Sequence, residues 1–305
     1  MIRRYLTRKF HTELLKIESR KYIAQWFIQF GWPEDPLQPD LAAMHTILPP
    51  TDRFFADPFV ACVDGRYFIF LEEFLFGKPP GYISVVEVFR DGTHGEVTPI
   101  IRESYHLSYP WIINQHGQWF MIPETCKNGT VEWWVCEEFP YRWKKGGQLM
   151  ENLLAADTTP FFHLDCWWLF SALKQDCKKF GNKLFLFSGE DLFGRDWTPH
   201  PMNPVKVGLV HDRPAGNIIR DGERLLRPAQ DSMKRYGGAL ELREITAFTE
   251  TTYTEKLWKR VDPNWCTEVK GVHTWNCEQG LLVIDALRLL PKYPLLAETP
   301  GQNNV

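Results

Sequence analysis

Apolar residues in this chain come in short runs, each closed by a polar residue and separated from the next by Gly, Pro, Asp or Asn. Five of these runs share one design. RYFIFLEE ends at Glu72 and Glu73, QWFMIPE at Glu124, CWWLFSA at Ser171, ERLLRPAQD at Asp231 and GLLVIDA at Asp285. A reverse-turn pair precedes each: Asp64-Gly65, His116-Gly117, Leu164-Asp165, Asp221-Gly222 and Gln279-Gly280. Four of the pairs are X-Gly hairpin signals, so each run is the second strand of a hairpin. The first strands open at Asp57-Pro58-Phe59, His106-Leu107-Ser108-Tyr109-Pro110, Asp157-Thr158-Thr159-Pro160, Arg213-Pro214-Ala215-Gly216 and Gly271-Val272-His273. With Asp57, Tyr109, Asp157, Arg213 and His273 as markers, the steps are 52, 48, 56 and 60 residues, a period of propeller size.

Third strands follow in four repeats, as YISVVEVF, VEWWVCEEF, KLFLFSGEDL and ALELREITAF. The fifth repeat has none after Asp285. The stretch YIAQWFIQFG, residues 22–31, has the composition to fill that place. The pattern therefore predicts an all-β chain, a five-bladed β-propeller over residues 22–290 closed by its own N-terminal strand, which leaves no open sheet edge. A short basic amphipathic helix over 1–21 precedes it and a tail, 291–305, follows.

Composition narrows the class. At 44% apolar residues and a net charge of -3, the 305-residue chain has the material for a packed core and is not disordered. Its 21 Gly and 22 Pro beside 13 Trp, 10 Tyr and 21 Phe favour turns and strands over a helical bundle. The balanced charge argues against nucleic acid as a partner. Seven cysteines without a C-x-x-C pair read as reduced core thiols in a cytoplasmic protein, with no metal site and no cofactor expected. Residues 1–21 lack the apolar core of a signal peptide. Their basic amphipathic face suits packing on the propeller or peripheral contact with an anionic membrane.

A hairpin returns the chain to where it began, so strand openings and strand ends gather at one mouth of the ring. That reasoning assembles Asp57, Glu73, His106, Tyr109, Glu124, Asp157, Arg213, Asn217, Asp231 and His273. Carboxylates interleaved with His, Arg and aromatic residues form the polar concave site that sugar chemistry needs. Asp285, after an unbroken apolar strand, reads instead as a turn or buried hydrogen-bonding residue. The paired tryptophans Trp133-Trp134 and Trp167-Trp168 read as blade packing.

The ordered set Asp57-Pro-Phe, His106-Leu-Ser-Tyr-Pro110, Met121-Ile-Pro-Glu124, Asp157, His200-Pro-Met-Asn203-Pro204, Arg213-Pro-Ala-Gly216, Arg227-Pro-Ala-Gln-Asp231, Tyr236-Gly237 and Gly271-Val-His273 resembles the N-terminal domain family of glucosamine inositolphosphorylceramide transferases. That family is similar in turn to the five-bladed propeller glycosidases. The resemblance implies a surface-glycan context, with a sugar, nucleotide sugar or glycolipid as substrate. It assigns Asp57 as base or nucleophile. Glu124 is the expected acid, and Asp157 or Asp231 the group that tunes pKa or orients hydroxyls. Glu73, His106, Tyr109, His200, Arg213, Asn217, Arg227 and His273 are the expected substrate-binding residues, with Arg213 and His200 suited to a phosphate or carboxylate. The second repeat opens on Tyr109 where the glycosidases have an acidic residue. Two alternatives therefore stand beside a glycosidase or glycosyltransferase: a non-catalytic glycan-recognition module, and a cyclase or acyl-transfer enzyme acting on a lipid-like substrate in the same pocket.

Overall fold

A computed structural model describes residues 15–174, 182–208 and 210–292. Five antiparallel sheets stand around a central channel, each with its first strand innermost. Blade one runs Arg53–Val63, Arg66–Leu75, Tyr82–Val88 and Thr98–Ile101, and blade two Ser108–Gln115, Gln118–Glu124, Thr130–Glu138 and Arg142–Glu151. Blade three has Ala155–His163, Cys166–Lys174 and Asn182–Gly189, edged by the short strands Thr198–Pro199 and Lys206–Gly208. Blade four has the split inner strand Val210–Pro214 and Ile219–Asp221, then Arg224–Asp231, Ala239–Phe248 and Tyr253–Val261.

Blade five joins the two ends of the ring. Trp275–Glu278 and Leu281–Pro291 are followed in space by Tyr22–Gly31 and then His45–Ile47. The closing strand pairs along its whole length, from Tyr22 opposite Pro291 to Gly31 opposite Leu282. The propeller and its N-terminal closure are thus those the repeat pattern predicts. Residues 15–21 form the described part of the leading helix, and Glu18 on it pairs with Arg235. The remainder of the 1–21 helix and most of the 291–305 tail lie outside the described residues. No helix among the described residues is long and apolar enough to cross a membrane. The six described cysteines are free thiols, and Cys266 among them is exposed instead of lying in the core.

The core lies between blades. Phe59 and Phe70 of blade one meet Trp111, Met121 and Trp134 of blade two, and Leu169 of blade three joins them. Ile28 and Val283 of blade five pack on Ile69 and Val86 of blade one. Trp168 and Phe170 of blade three meet Ile245 and Phe248 of blade four. Strand alternation explains the tryptophan pairs: Trp134 and Trp168 point into these interfaces, while Trp133 turns to Phe120 and Phe193, and Trp167 to Phe162. Gly216, at φ 134°, marks the tightest contact between blades four and five. A Cβ there would stand 2.1 Å from the Trp275 carbonyl oxygen.

Candidate active site at the carboxylate mouth

Each of the first three inner strands bulges as it enters the channel. Two residues oppose one partner, because the register steps from Ala56–Glu72 to Phe59–Phe70, from Ser108–Glu124 to Trp111–Ile122, and from Ala156–Ala172 to Thr159–Phe170. The first bulged residue has positive φ in every case: Asp57 at 50°, Tyr109 at 46° and Asp157 at 52°. Asp tolerates this region with little strain; a bulky Tyr does not, so the surroundings of Tyr109 must hold it there. Pro58 and Pro110, the second bulged residues, have no N–H for the interrupted ladder to orphan. In blade four the bulge spans three residues, from Val210–Asp231 to Pro214–Ala229, and the residue at positive φ is His211, at 59°. The counterpart of Asp57, Tyr109 and Asp157 is therefore His211. Arg213, the marker expected from the sequence, stands two residues further on.

Two charge clusters result. In the first, His273 lies between two carboxylates, Nε2 3.0 Å from Asp57 and Nδ1 2.9 Å from Asp285, with all three residues buried. Burial alone would lower the imidazole pKa. The charges of Asp285 and Asp57 overcome it and raise the pKa to about 10, so His273 is an imidazolium. Asp285 also accepts the backbone N–H groups of Asp57, His273 and Thr274. Its burial is outweighed by the imidazolium and these donors, which hold its carboxyl below the ordinary value. Asp57 accepts from the Tyr109 N–H at 3.2 Å and the Thr274 hydroxyl at 3.1 Å. Asp57, His273 and Asp285 are also the described residues whose donor atoms lie close enough together, within 4.8 Å, to hold a metal ion. Here the imidazolium itself supplies the positive charge, with one ring nitrogen within ion-pair distance of each carboxylate.

The second cluster crosses blades two, three and four. Arg213 grips Asp157 with two contacts of 2.6 and 2.7 Å and reaches Glu124 at 3.5 Å. Glu124 accepts the Asp157 N–H at 3.1 Å, and the Gln230 amide donates to Asp157 at 3.1 Å. Burial pushes the Asp157 carboxyl up to about 7 against the pull of Arg213, and the negative charges of Glu124 and Asp57 add to the rise. Two carboxylates thus share one guanidinium, and the Asp157 carboxyl is the one raised toward neutral pH. Glu124 is the more exposed of the two.

Tyr109 links the clusters. Its ring meets Phe59 at 4.8 Å, and its hydroxyl bonds the Thr159 hydroxyl at 2.7 Å and accepts the Gly216 N–H at 2.7 Å. The ring is fully buried and its phenol is raised well above the usual value by burial and the Asp157 charge. Tyr109→Phe would leave the Gly216 N–H without an acceptor and is expected to lower stability by about 1–3 kcal/mol. Urea unfolding of the two proteins checks this, and equal midpoints would show that the bridge contributes nothing.

At the rim, His106 accepts the Gly81 N–H on Nδ1, which leaves Nε2 to donate to Glu72 at 3.1 Å. Tyr236 stands half-exposed above Arg213, whose guanidinium lies 5.3 Å from the ring centre, and 5.1 Å from the His273 ring. Gly237 lets this loop lie against Trp26, 2.4 Å from where a Cβ would fall.

Of the residues expected from the sequence, Asp57, His106, Tyr109, Glu124, Asp157, Arg213 and His273 converge here. Others do not. Asp231 turns outward to Arg260 at 2.6 Å. Arg227 is buried against Glu255 at 2.9 Å, within blade four. His200 bridges Met202 N–H and the Thr249 carbonyl, and Glu73 is taken by Arg53 and Ser84. Asn217 lies at the other opening of the channel. Glu72, Gln230, Thr274, Asp285 and Tyr236 complete the mouth. Tyr236-Gly237 and Gln230 stand in the sequence motifs, whereas Thr274 has no signal beyond following His273.

Fold and mouth together define a five-bladed β-propeller whose channel opens on buried, ion-paired carboxylates. A family 117 glycoside hydrolase from the marine bacterium Zobellia galactanivorans is similar in fold, with 13% identity and a TM-score of 0.54 over 87% of this chain and 91% of that one. The chain itself belongs to the family described as glucosamine inositolphosphorylceramide transferase 1, N-terminal, whose model matches residues 41–290. It is 26% identical over 231 residues to glucosamine inositolphosphorylceramide transferase 1 of Arabidopsis thaliana, and 28% identical to that of Oryza sativa subsp. indica. These matches cover 73% of this chain but only 29% and 30% of the relatives.

Proposed function

We propose that the carboxylate mouth acts on a glycosyl group, cleaving it or transferring it to an acceptor. The carbohydrate context comes from the transferase relatives. The observation that carries the reading is the meeting of Asp57, Glu124 and Asp157, from three successive blades, with the Asp157 carboxyl raised to about 7. Glycosyl transfer runs through an oxocarbenium-like state that needs an acid on the leaving oxygen and a carboxylate on the sugar. Glu124, the outward member of its pair, is the acid on the leaving oxygen, and Asp157 positions it through the backbone N–H it donates at 3.1 Å. Asp57, paired with the His273 imidazolium at 3.0 Å, is base or nucleophile. Arg213, between the clusters, suits a phosphate on a nucleotide sugar or lipid head group.

The test is a panel of aryl glycosides and nucleotide sugars, with phosphoinositol-type lipids as acceptors, followed by product detection. Turnover should appear with the wild type and vanish in Asp57→Asn. An Asp57→Asn protein of undiminished activity would overturn the assignment.

A second reading is supported by burial: Asp57 and Asp157 are 4% and 1% exposed, and each is tied to a cation of the protein. In that reading the mouth recognises a glycan without turning it over. Saturable binding with no product after long incubation supports it, and released sugar excludes it.

A further inference from the structure

The channel has a second opening, at the hairpin ends of the inner strands. A cavity of about 640 Å³ lies there, walled by Trp111, Phe161, Trp167 and Ile218 and entered past Asn217 and Glu278. Tyr109 separates it from the carboxylates. The tyrosine hydroxyl is bonded at Thr159 and Gly216, and the next residues along those strands, Pro160 and Asn217, already line the cavity. Volume and lining are those of a ligand site: mostly apolar walls with a few polar groups.

Its chemistry is distinctive. Phe162 and Trp167 form a tilted aromatic pair 5.3 Å apart, and Phe162 is 47% exposed although it sits in a strand. The Asn217 side-chain amide and the Glu278 carboxylate have no hydrogen-bond or ion-pair partner among the described residues. Asp35 is occupied by the Leu37 N–H and the Gln38 amide, and Asp221 by Arg224. Among the lining residues the carboxylates of Asp35, Asp221 and Glu278 accompany the guanidinium of Arg220, and with Asp221 paired to Arg224 an excess of one negative charge remains.

We propose that this opening is a second, non-catalytic carbohydrate-binding site, taking a neutral or amino sugar. A pyranose has an apolar C–H face and a rim of hydroxyls. Aromatic faces accept the first, and a free amide and carboxylate accept the second. The excess of carboxylates repels phosphates and uronic acids and attracts an ammonium group. One free carboxylate holds a sugar but does not supply the acid and base pair that cleavage requires. The site is independent of what happens at the carboxylate mouth.

A glycan array of neutral, amino and acidic oligosaccharides, probed with the fluorescently labelled full chain, tests it. Neutral or amino glycans should bind. Trp167→Ala and Asn217→Ala should each weaken that binding about tenfold or more, while Tyr236→Ala, at the opposite mouth, should leave it unchanged. Asn217 makes no side-chain bond among the described residues, so its variant keeps the fold. Absence of any bound glycan, or binding of acidic glycans alone, would overturn the proposal. Loss in Tyr236→Ala with retention in Asn217→Ala and Trp167→Ala would also overturn it, and would place the glycan at the carboxylate mouth instead.

Discussion

Replacement of His273 by glutamine is expected to lower the stability of the propeller by about 3–5 kcal/mol, because it strips the counter-charge from two buried carboxylates. Glutamine can donate to one of Asp57 and Asp285 but not neutralise either. The effect should carry a pH signature. His273 is raised to about 10 from an ordinary value near 6.5, so its contribution is fully present below about 6.5 and is lost as pH rises through 10. The elevated Asp157 works in the same direction. Folded protein binds the extra proton between about 4 and 7, and stability declines as pH climbs through that window. Glu241 and Glu255, held down to about 2 by ion pairs that outweigh their burial, act oppositely and lose their contribution only as pH falls below about 4.5. Thermal unfolding across pH should therefore show greatest stability at mildly acidic pH and a steep alkaline loss. His273→Gln should flatten the alkaline limb. If variant and wild type fall in parallel above pH 8, the imidazolium is not the cause.

Glu124→Gln should reduce turnover by about 10²–10⁴-fold while leaving unfolding nearly unchanged. The carboxamide oxygen still accepts the Asp157 N–H, so the mouth keeps its shape and loses its transferable proton. The wild-type rate should drop as pH rises past about 7, following ionisation of the Asp157 carboxyl, which acts on the sugar through Glu124. That limb should be absent from the variant's residual rate. A variant that keeps both the rate and the limb would remove Glu124 from the mechanism. A variant that unfolds at lower temperature would point to a structural role.

The blades were legible because their hairpins announce themselves. Asp64-Gly65, His116-Gly117 and Gln279-Gly280 all adopt positive φ at both turn residues, and so do Leu164 and Asp165, without a glycine. Blade four escaped the count by two residues, since Arg213-Pro214-Ala215-Gly216 looks like an opener while the longer bulge begins at His211. For the site, Asp57, Tyr109 and Asp157 were visible as strand openers, but their partners were not. Side-chain direction across blades decided those. Asp231 and Asp285 end equivalent strands, yet one turns out to Arg260 and the other in to His273. Asp285, expected as a turn or buried hydrogen-bonding residue, proves to be half the counter-charge of the imidazolium. No local pattern encodes a contact such as Asp57 with His273, between residues 216 positions apart in sequence.

The pairing of Tyr22–Gly31 with Leu281–Pro291 has a consequence for how the chain is made. Its eleven-residue partner leaves the ribosome only after all five inner strands, so the first strand must wait, paired only with the short His45–Ile47 strand, through the synthesis of about 250 residues. Contacts of such sequence separation are slow to form. Until the clasp closes, an apolar strand and an unfilled edge in blade five coexist in one nascent chain, each a ready partner for the same element of a neighbouring molecule. Refolding yield should therefore fall with protein concentration through exchange of this one strand, and a shared excess of free 22–31 peptide should compete for the vacant edge.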